Sequence, residues 1–236
     1  MLDKPEHALL DIASRTIIDL SHTLDPKTEN RHIHLEYVTL ENYPKIFPGY
    51  VVTEADKIYP MHTIEFASHI GTHLETPYHW NRRGRDVADI SPERLIGDAV
   101  AIDLRFVPTD RDITVEDVQK AAEAVGGINK GEMVFCHTVD LMGEEKRAPF
   151  YEPDAVRWLV AQGMSMMAVC AEMEDLVRYG VSGDFPNHDA LFSHDVLLLE
   201  SVTNLESLKH PRFTAVTLPV KIVGLDSCPV RVLAIQ

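Results

Sequence analysis

Short runs of alternating or contiguous apolar residues recur along the whole chain. They are RTIIDL (15–20), HTIEFASH (62–69), AVAIDL (99–104), EMVFC (132–136), MSMMAVC (164–170), DVLLLES (195–201), FTAVTL (213–218), VKIVGL (220–225) and VRVLAI (230–235). All are rich in Val, Ile, Leu or Phe and are bounded by Gly, Pro, Asp or Asn, the pattern of β-strands closed by turns. Two segments follow a helical period instead. In TVEDVQKAAEAV, Thr114 caps the start with Asp117 three residues on, and Val115, Val118, Ala122 and Val125 form one apolar stripe before Gly126 and Gly127 end it. In EPDAVRWLVAQG, Pro153 falls in the first turn and Gly163 just past the last. The order β-α-β-α-β over 99–170 predicts parallel strands joined by helical crossovers, with the outlying strands added antiparallel. The economical reading is an α/β protein, residues 1–236 forming a single domain with a mixed β-sheet and flanking helices.

Composition changes this picture mainly by exclusion. Of 236 residues, 45% are hydrophobic and 25% charged, which is ordinary for a globular chain with a sizeable core. The net charge is 22 − 37 = −15, and it is spread along the chain. That argues against nucleic acid or an anionic membrane surface as partner, since both are bound through Lys and Arg. No stretch approaches the roughly 18 uninterrupted apolar residues of a membrane span. The N-terminal MLDKPEHALLDIASR carries acids early and lacks the apolar run of a signal peptide, so a cytoplasmic location is expected. Cys136, Cys170 and Cys228 are widely spaced, with no CxxC pair, and read as reduced thiols. No repeat, low-complexity tract or flexible linker divides the chain. Histidine is the excess that needs explaining, at 12 residues.

Three of those histidines and one glutamate are packed into SHIGTHLETPYHW (68–80). His69 and His73 are four apart, the spacing of a helical HExxH pair, but the segment does not read as a helix. HTIEFASH alternates like a strand, Ile70-Gly71-Thr72 is poor helix interior, and Pro77 follows soon after. A strand ending in a tight glycine turn also brings His69, His73 and Glu75 to one point, and an extended segment aims His73 and Glu75 the same way. Imidazole with carboxylate suits Zn²⁺, Mn²⁺ or Fe²⁺, and the absence of nearby cysteine disfavours a closed structural zinc site. The plain alternative is a set of polar strand-end residues exchanging hydrogen bonds.

The string H-I-G-T-H-L-E-T-P-Y-H resembles the H-x-G-T-H-x-D-x-P-x-H signature of the cyclase-like metal-dependent hydrolases, a family that includes bacterial kynurenine formamidases and isatin hydrolases. The resemblance extends to NHDALFSHDVLLLESVTNLESL, where His188 precedes Glu200 by twelve residues, and to the opening IIDLSHTL. It implies that His69, His73, Glu75, His188 and Glu200 are ligands of a divalent metal, zinc or manganese, as one or two ions. It implies that His79 is the proton donor and acceptor. It also implies a swivelling β/β/α fold assembled as a homodimer or homotetramer. Two departures are visible: Glu75 stands where the commoner motif has Asp, and DPKTENRHIHLEYV lacks the tryptophan that formamidases place there against substrate.

The chemistry follows from the residues as well. A divalent ion lowers the pKa of bound water from near 16 toward about 7 and polarises a carbonyl, and a histidine supplies the proton for the leaving group. The expected reaction is hydrolysis of a small amide, lactam, lactone or formamide, the partner being a small molecule. A non-catalytic binding protein on the same scaffold is the rival, and a structural metal site is a third reading. Among other residues, His22, His32, His34 and His62 are candidates to line the pocket. Asp103 reads as a turn cap, His137 as a strand end, His194 and His210 as surface groups, and Met164, Met166 and Met167 as core. Glu172, Glu174 and Asp175 are acids expected near the site or at a helix start.

Overall fold

The computed structural model describes residues 14–39, 42–49, 51, 61–139, 148–173, 175, 178 and 185–236. Its centre is a run of four parallel strands in the order β5 (Ile96–Asp103), β6 (Met133–His137), β7 (Met166–Val169) and β8 (Leu197–Glu200). Helix α3 (Val115–Ala124) joins β5 to β6, α4 (Pro153–Ala161) joins β6 to β7, and α5 (Pro186–Phe192) lies in the crossover to β8. Two shorter helices, α1 (Tyr43–Ile46) and α2 (Pro77–Trp80), precede them. The helix signals act as read. Thr114 Oγ1 accepts from the Asp117 amide at 3.4 Å, and Asp117 Oδ2 accepts from the Thr114 amide at 3.0 Å, a complete capping box. Gly163 follows α4 at φ +82°, the left-handed region that glycine enters without penalty. The buried stripe of α3 runs through Val118, Ala121 and Ala122, so Ala121 rather than Val115 completes it.

Antiparallel strands then close the sheet. β9 (Arg212–Pro219) pairs with the free edge of β5, and β4 (His73–Glu75) with that of β8. β10 (Ser227–Ile235) spans the gap: Ser227–Pro229 pair with β4, and Val230–Ile235 pair with β9. Seven strands therefore form a barrel, and β1 (Ile17–Asp19) adds to β10 at its far end. Closure gives the period-two alternation two meanings. Leu74, Phe135, Ala168, Leu199, Phe213 and Val232, one from each of six strands, pack with Ala99 of β5 into one cluster inside the barrel. Val100, Ile102, Val134, Cys136 and Met167 point outward and pack beneath α3 and α4. Burying each large side chain contributes about 1.5–3 kcal/mol, so both faces carry the fold.

Two strand expectations are corrected, and one strand is added. VKIVGL (220–225) is the connection between β9 and β10, with Val220 62% and Val223 84% exposed and Gly224 at φ +83°. An apolar run lying between two antiparallel partners has to supply the turn. HTIEFASH is strand only over β3 (His62–Phe66), and β3 stays outside the barrel, paired with β2 (Ile33–Tyr37) as a two-stranded ribbon. β2 itself is absent from the sequence reading, although Ile33, Leu35 and Tyr37 alternate with His34 and Glu36. The cysteines are buried and form no disulfide, and among the described residues no helix is long and apolar enough to cross a membrane.

Candidate active site

The barrel's alternation decides where the histidine cluster faces. Leu74 and Leu199 point inward, so His73, Glu75 and Glu200 point outward, and the register sets His73 directly opposite Glu200. Gly71, at φ +54°, turns the preceding chain back so that His69 rejoins them. Thr76 ends the strand and Pro77 begins α2, which carries His79 over the same spot. α5 brings His188 from the helical layer above β8. All six residues singled out from the sequence, His69, His73, Glu75, His79, His188 and Glu200, therefore meet on the outer face of β4 and β8. His69, Glu75, His79, His188 and Glu200 line a cleft of about 490 Å³ there.

Glu75 is the centre. Its Oε1 lies 2.6 Å from His69 Nδ1 and 3.4 Å from His73 Nε2, and its Oε2 lies 3.6 Å from His188 Nε2. Glu200 Oε2 is 3.3 Å from His73 Nε2, while Oε1 accepts the Met173 amide at 2.6 Å. The far nitrogens of two rings are already committed. His73 Nδ1 donates to the Gly71 carbonyl at 2.7 Å and His188 Nδ1 to Asp175 Oδ2 at 2.9 Å. Each therefore turns Nε2, a lone-pair atom in the neutral ring, toward the carboxylates.

Burial alone would lower the histidine pKa values, but the carboxylates outweigh it. His69 is pushed up to about 9 by Asp226 and Glu75, His73 to about 10 by Glu200 and Glu75, and His188 to about 10 by Asp175 and Glu75. Burial would likewise raise Glu75, yet the facing imidazoles of His188, His69 and His73 hold it well below the ordinary carboxylate range. Protons thus do the neutralising when no cation is bound.

The donor set fits a divalent ion. His73 Nε2 and Glu75 Oε2 are buried and have no hydrogen-bond partner in the protein. His69, His73 and Glu75 offer ligand atoms within 4.8 Å of one another, as do Glu75, His79 and His188. A cation at this point would take the place of ring protons and satisfy both orphaned atoms, while Gly71 and Asp175 hold two of the rings from behind. The longer Glu75 side chain still reaches the centre, with one oxygen toward His69 and His73 and the other toward His188.

Three contributors were not legible. Asp226 Oδ2 lies 2.9 Å from both His69 Nε2 and His79 Nδ1. Arg31 bonds the His69 carbonyl and pairs with Glu172 at the cleft wall. Trp80 and Phe185 add an aromatic edge, 5.7 Å between centroids at 82°. Asp226 and Arg31 lie in no motif, and only the fold brings them near. The acids 172 and 175 do approach the site, and Glu174 lies outside the described residues. His22, His32, His34 and His62 do not line the cleft; His32 pairs with Glu65 and His62 packs on Tyr37, both on the exposed ribbon. Asp103 caps its turn by accepting the Arg105 amide, His137 ends β6, His194 and His210 are exposed, and the three methionines are core.

Comparison with known proteins gives a consistent setting. Residues 18–173 match the Cyclase family model, described as "Putative cyclase". A kynurenine formamidase from Salinibacter ruber is 26% identical over 174 residues, covering 72% of this chain and 76% of the relative. An isatin hydrolase from Roseibium aggregatum is 26% identical over 245 residues, covering 93% and 91%. Among solved structures, isatin hydrolase A from Labrenzia aggregata bound to benzyl benzoate superposes with a TM-score of 0.75 at 22% identity, over 96% of this chain and 95% of that one.

Proposed function

The chain belongs to the cyclase family and is a hydrolytic enzyme, and from that premise we propose that it is a divalent-metal-dependent hydrolase. Its substrate is a small cyclic or N-acyl molecule with a scissile C–N or C–O bond: an amide, lactam, lactone or formamide. The observation that carries this reading is the convergence of three imidazoles on Glu75, with His79 beside them in an open cleft.

His69, His73, Glu75, His188 and Glu200 hold the metal, zinc or manganese, as one or two ions. When bound, the metal acidifies a water toward neutral pH and polarises the substrate carbonyl. His79 carries the proton to the leaving nitrogen or oxygen. Trp80 and Phe185, set edge to face, make one side of the cleft apolar against the ring of an aromatic substrate. The seven-stranded barrel with helices on its outer face is compatible with a swivelling β/β/α description, and a homodimer or homotetramer in the cytoplasm completes the reading.

The test is metal content by elemental mass spectrometry on wild type, His73→Ala and Glu200→Ala purified without chelator. It is followed by turnover of isatin, an N-formyl arylamine and a simple lactone. Wild type should carry near-stoichiometric metal and both variants should lose it. His79→Ala should keep metal and lose about 10²–10⁴-fold in turnover. Metal without turnover on any substrate would favour a non-catalytic binding protein, and wild type that stays empty after reconstitution would overturn the proposal.

A further inference from the structure

One carboxylate oxygen serves two histidines that the proposed mechanism uses differently. Asp226 sits in the connection leading into β10, immediately before the stretch that pairs with β4. Its backbone carbonyl accepts both the Thr76 amide and Thr76 Oγ1 at 3.0 Å, which fixes the residue at the end of the ligand strand. Its Oδ1 accepts from Ser68 Oγ at 3.2 Å, and its Oδ2 faces His69 Nε2 and His79 Nδ1, each at 2.9 Å. The two rings lie 4.4 Å apart between centroids.

A carboxylate only accepts, so the nitrogen opposite it in each ring carries the hydrogen. For His69 the other nitrogen, Nδ1, faces the Glu75 carboxylate in turn, so it carries a proton when no cation is bound and becomes the lone-pair atom where a bound ion would displace that proton. His69 thereby differs from His73 and His188, which turn Nε2 inward. For His79 it leaves Nε2 free to exchange a proton.

We propose that Asp226 is a positioning residue that sets the tautomers of the ligand His69 and the proton carrier His79 together, so that metal binding at Nδ1 of one and proton transfer at Nε2 of the other share a single anchor. This rests on the hydrolase reading above, but two of its readouts do not need a substrate. Asp226 is about one-third exposed at its side chain, and its carbonyl bonds survive substitution, so Asp226→Asn retains the barrel.

The experiment takes zinc-loaded wild type, Asp226→Asn, His79→Ala, Asp226→Asn/His79→Ala and Ser68→Ala. Nitrogen-15 spectra of the histidines at mildly alkaline pH should show zinc on His69 Nδ1 and hydrogen on His79 Nδ1 in wild type, and lose both assignments in Asp226→Asn. Zinc affinity should fall by about 10–100-fold. With a turned-over substrate, kcat should drop by about 10²–10⁴-fold with little change in KM, as expected when a base loses its correct tautomer. At saturating zinc, where the effect through His69 is masked, the double variant should be no slower than His79→Ala, because the remaining effect of Asp226 acts through the His79 ring. Ser68→Ala, which removes only the Oδ1 contact, should stay near wild type in all three readouts.

Wild-type tautomers and zinc affinity in Asp226→Asn would overturn the proposal, as would a double variant slower than His79→Ala by the product of the single effects. If Asp226→Asn does not fold, Asp226→Ser carries the same readouts. If no substrate is found for wild type, the hydrolase reading fails, and the spectra and the zinc titration still decide the role of Asp226.

Discussion

Asp175 offers a direct measure of how strongly the helical layer holds the site. It is 2% exposed, and its carboxylate faces four donors. Oδ2 accepts the Asn187 amide at 3.0 Å, the His188 amide at 3.1 Å and His188 Nδ1 at 2.9 Å, and Oδ1 accepts Asn187 Nδ2 at 2.9 Å. One buried side chain therefore both satisfies the first amides of α5 and orients the ring that α5 delivers to Glu75. Asp175→Ala leaves two amides without an acceptor, at about 1–3 kcal/mol each, and releases the imidazole. Dismantling a buried charged network of this kind costs about 3–5 kcal/mol in all. For a chain of this length each kcal/mol moves Tm by about 2–4 °C, so a fall of about 6–20 °C is expected. Asp175→Asn keeps an oxygen for some donors but faces Asn187 Nδ2 with a second amide, and should cost about 1–3 kcal/mol.

The assay is thermal unfolding followed by circular dichroism with chelator present throughout, so that metal bound to the native state adds nothing to Tm. A zinc competition titration on the same variants should show affinity lower by about 10–100-fold, because His188 has lost the partner behind it. Asp175→Ala within about 1 kcal/mol of wild type, with unchanged zinc affinity, would refute both halves of the reasoning.

Two further outcomes test separate parts of the structure. Gly71→Ala should destabilise by about 1–3 kcal/mol and weaken zinc binding, because φ is +54° and a Cβ would lie 2.5 Å from Leu24 Cδ2 in the turn whose carbonyl holds His73; unfolding and zinc titration check it. Asp117 is held down to about 2 by the Arg111 guanidinium, with Thr114 adding to the effect, against 3.8 when unfolded. Its contribution is therefore fully present above about pH 4 and lost as pH falls through about 2; with Arg111 partly exposed it amounts to about 1 kcal/mol. Urea unfolding of wild type and Asp117→Asn should differ by that amount at neutral pH and converge toward pH 2, and a constant gap across that range would refute the assignment.

What could be read from the sequence depended on how far apart the cooperating residues lie. The capping box of α3 needs Thr114 and Asp117 alone, and both stand in the sequence as they act in the structure. The β-α-β-α-β order is equally local, and its strands are parallel as expected. VKIVGL fails because apolar composition does not distinguish a strand from a connection; Pro219 and Val230, on either side of that connection, are paired with each other. The histidine cluster was visible because His69, His73, Glu75 and His79 lie within eleven residues, whereas His188 and Glu200 entered only through a family resemblance.

Asp226 marks the limit of such reading. Nothing about an aspartate before Ser-Cys-Pro signals chemistry, and it lies 157 positions from His69. It reaches the site because β10 leaves β9 and pairs with β4, Ser227 opposite Glu75 and Pro229 opposite His73. That register exists only if the sheet closes, and closure depends on every intervening strand keeping its place. The residue that joins the proposed metal ligand to the proposed proton carrier is thus set by barrel topology, so strand pairing far from the cleft, not the motif alone, determines how His69 and His79 are held.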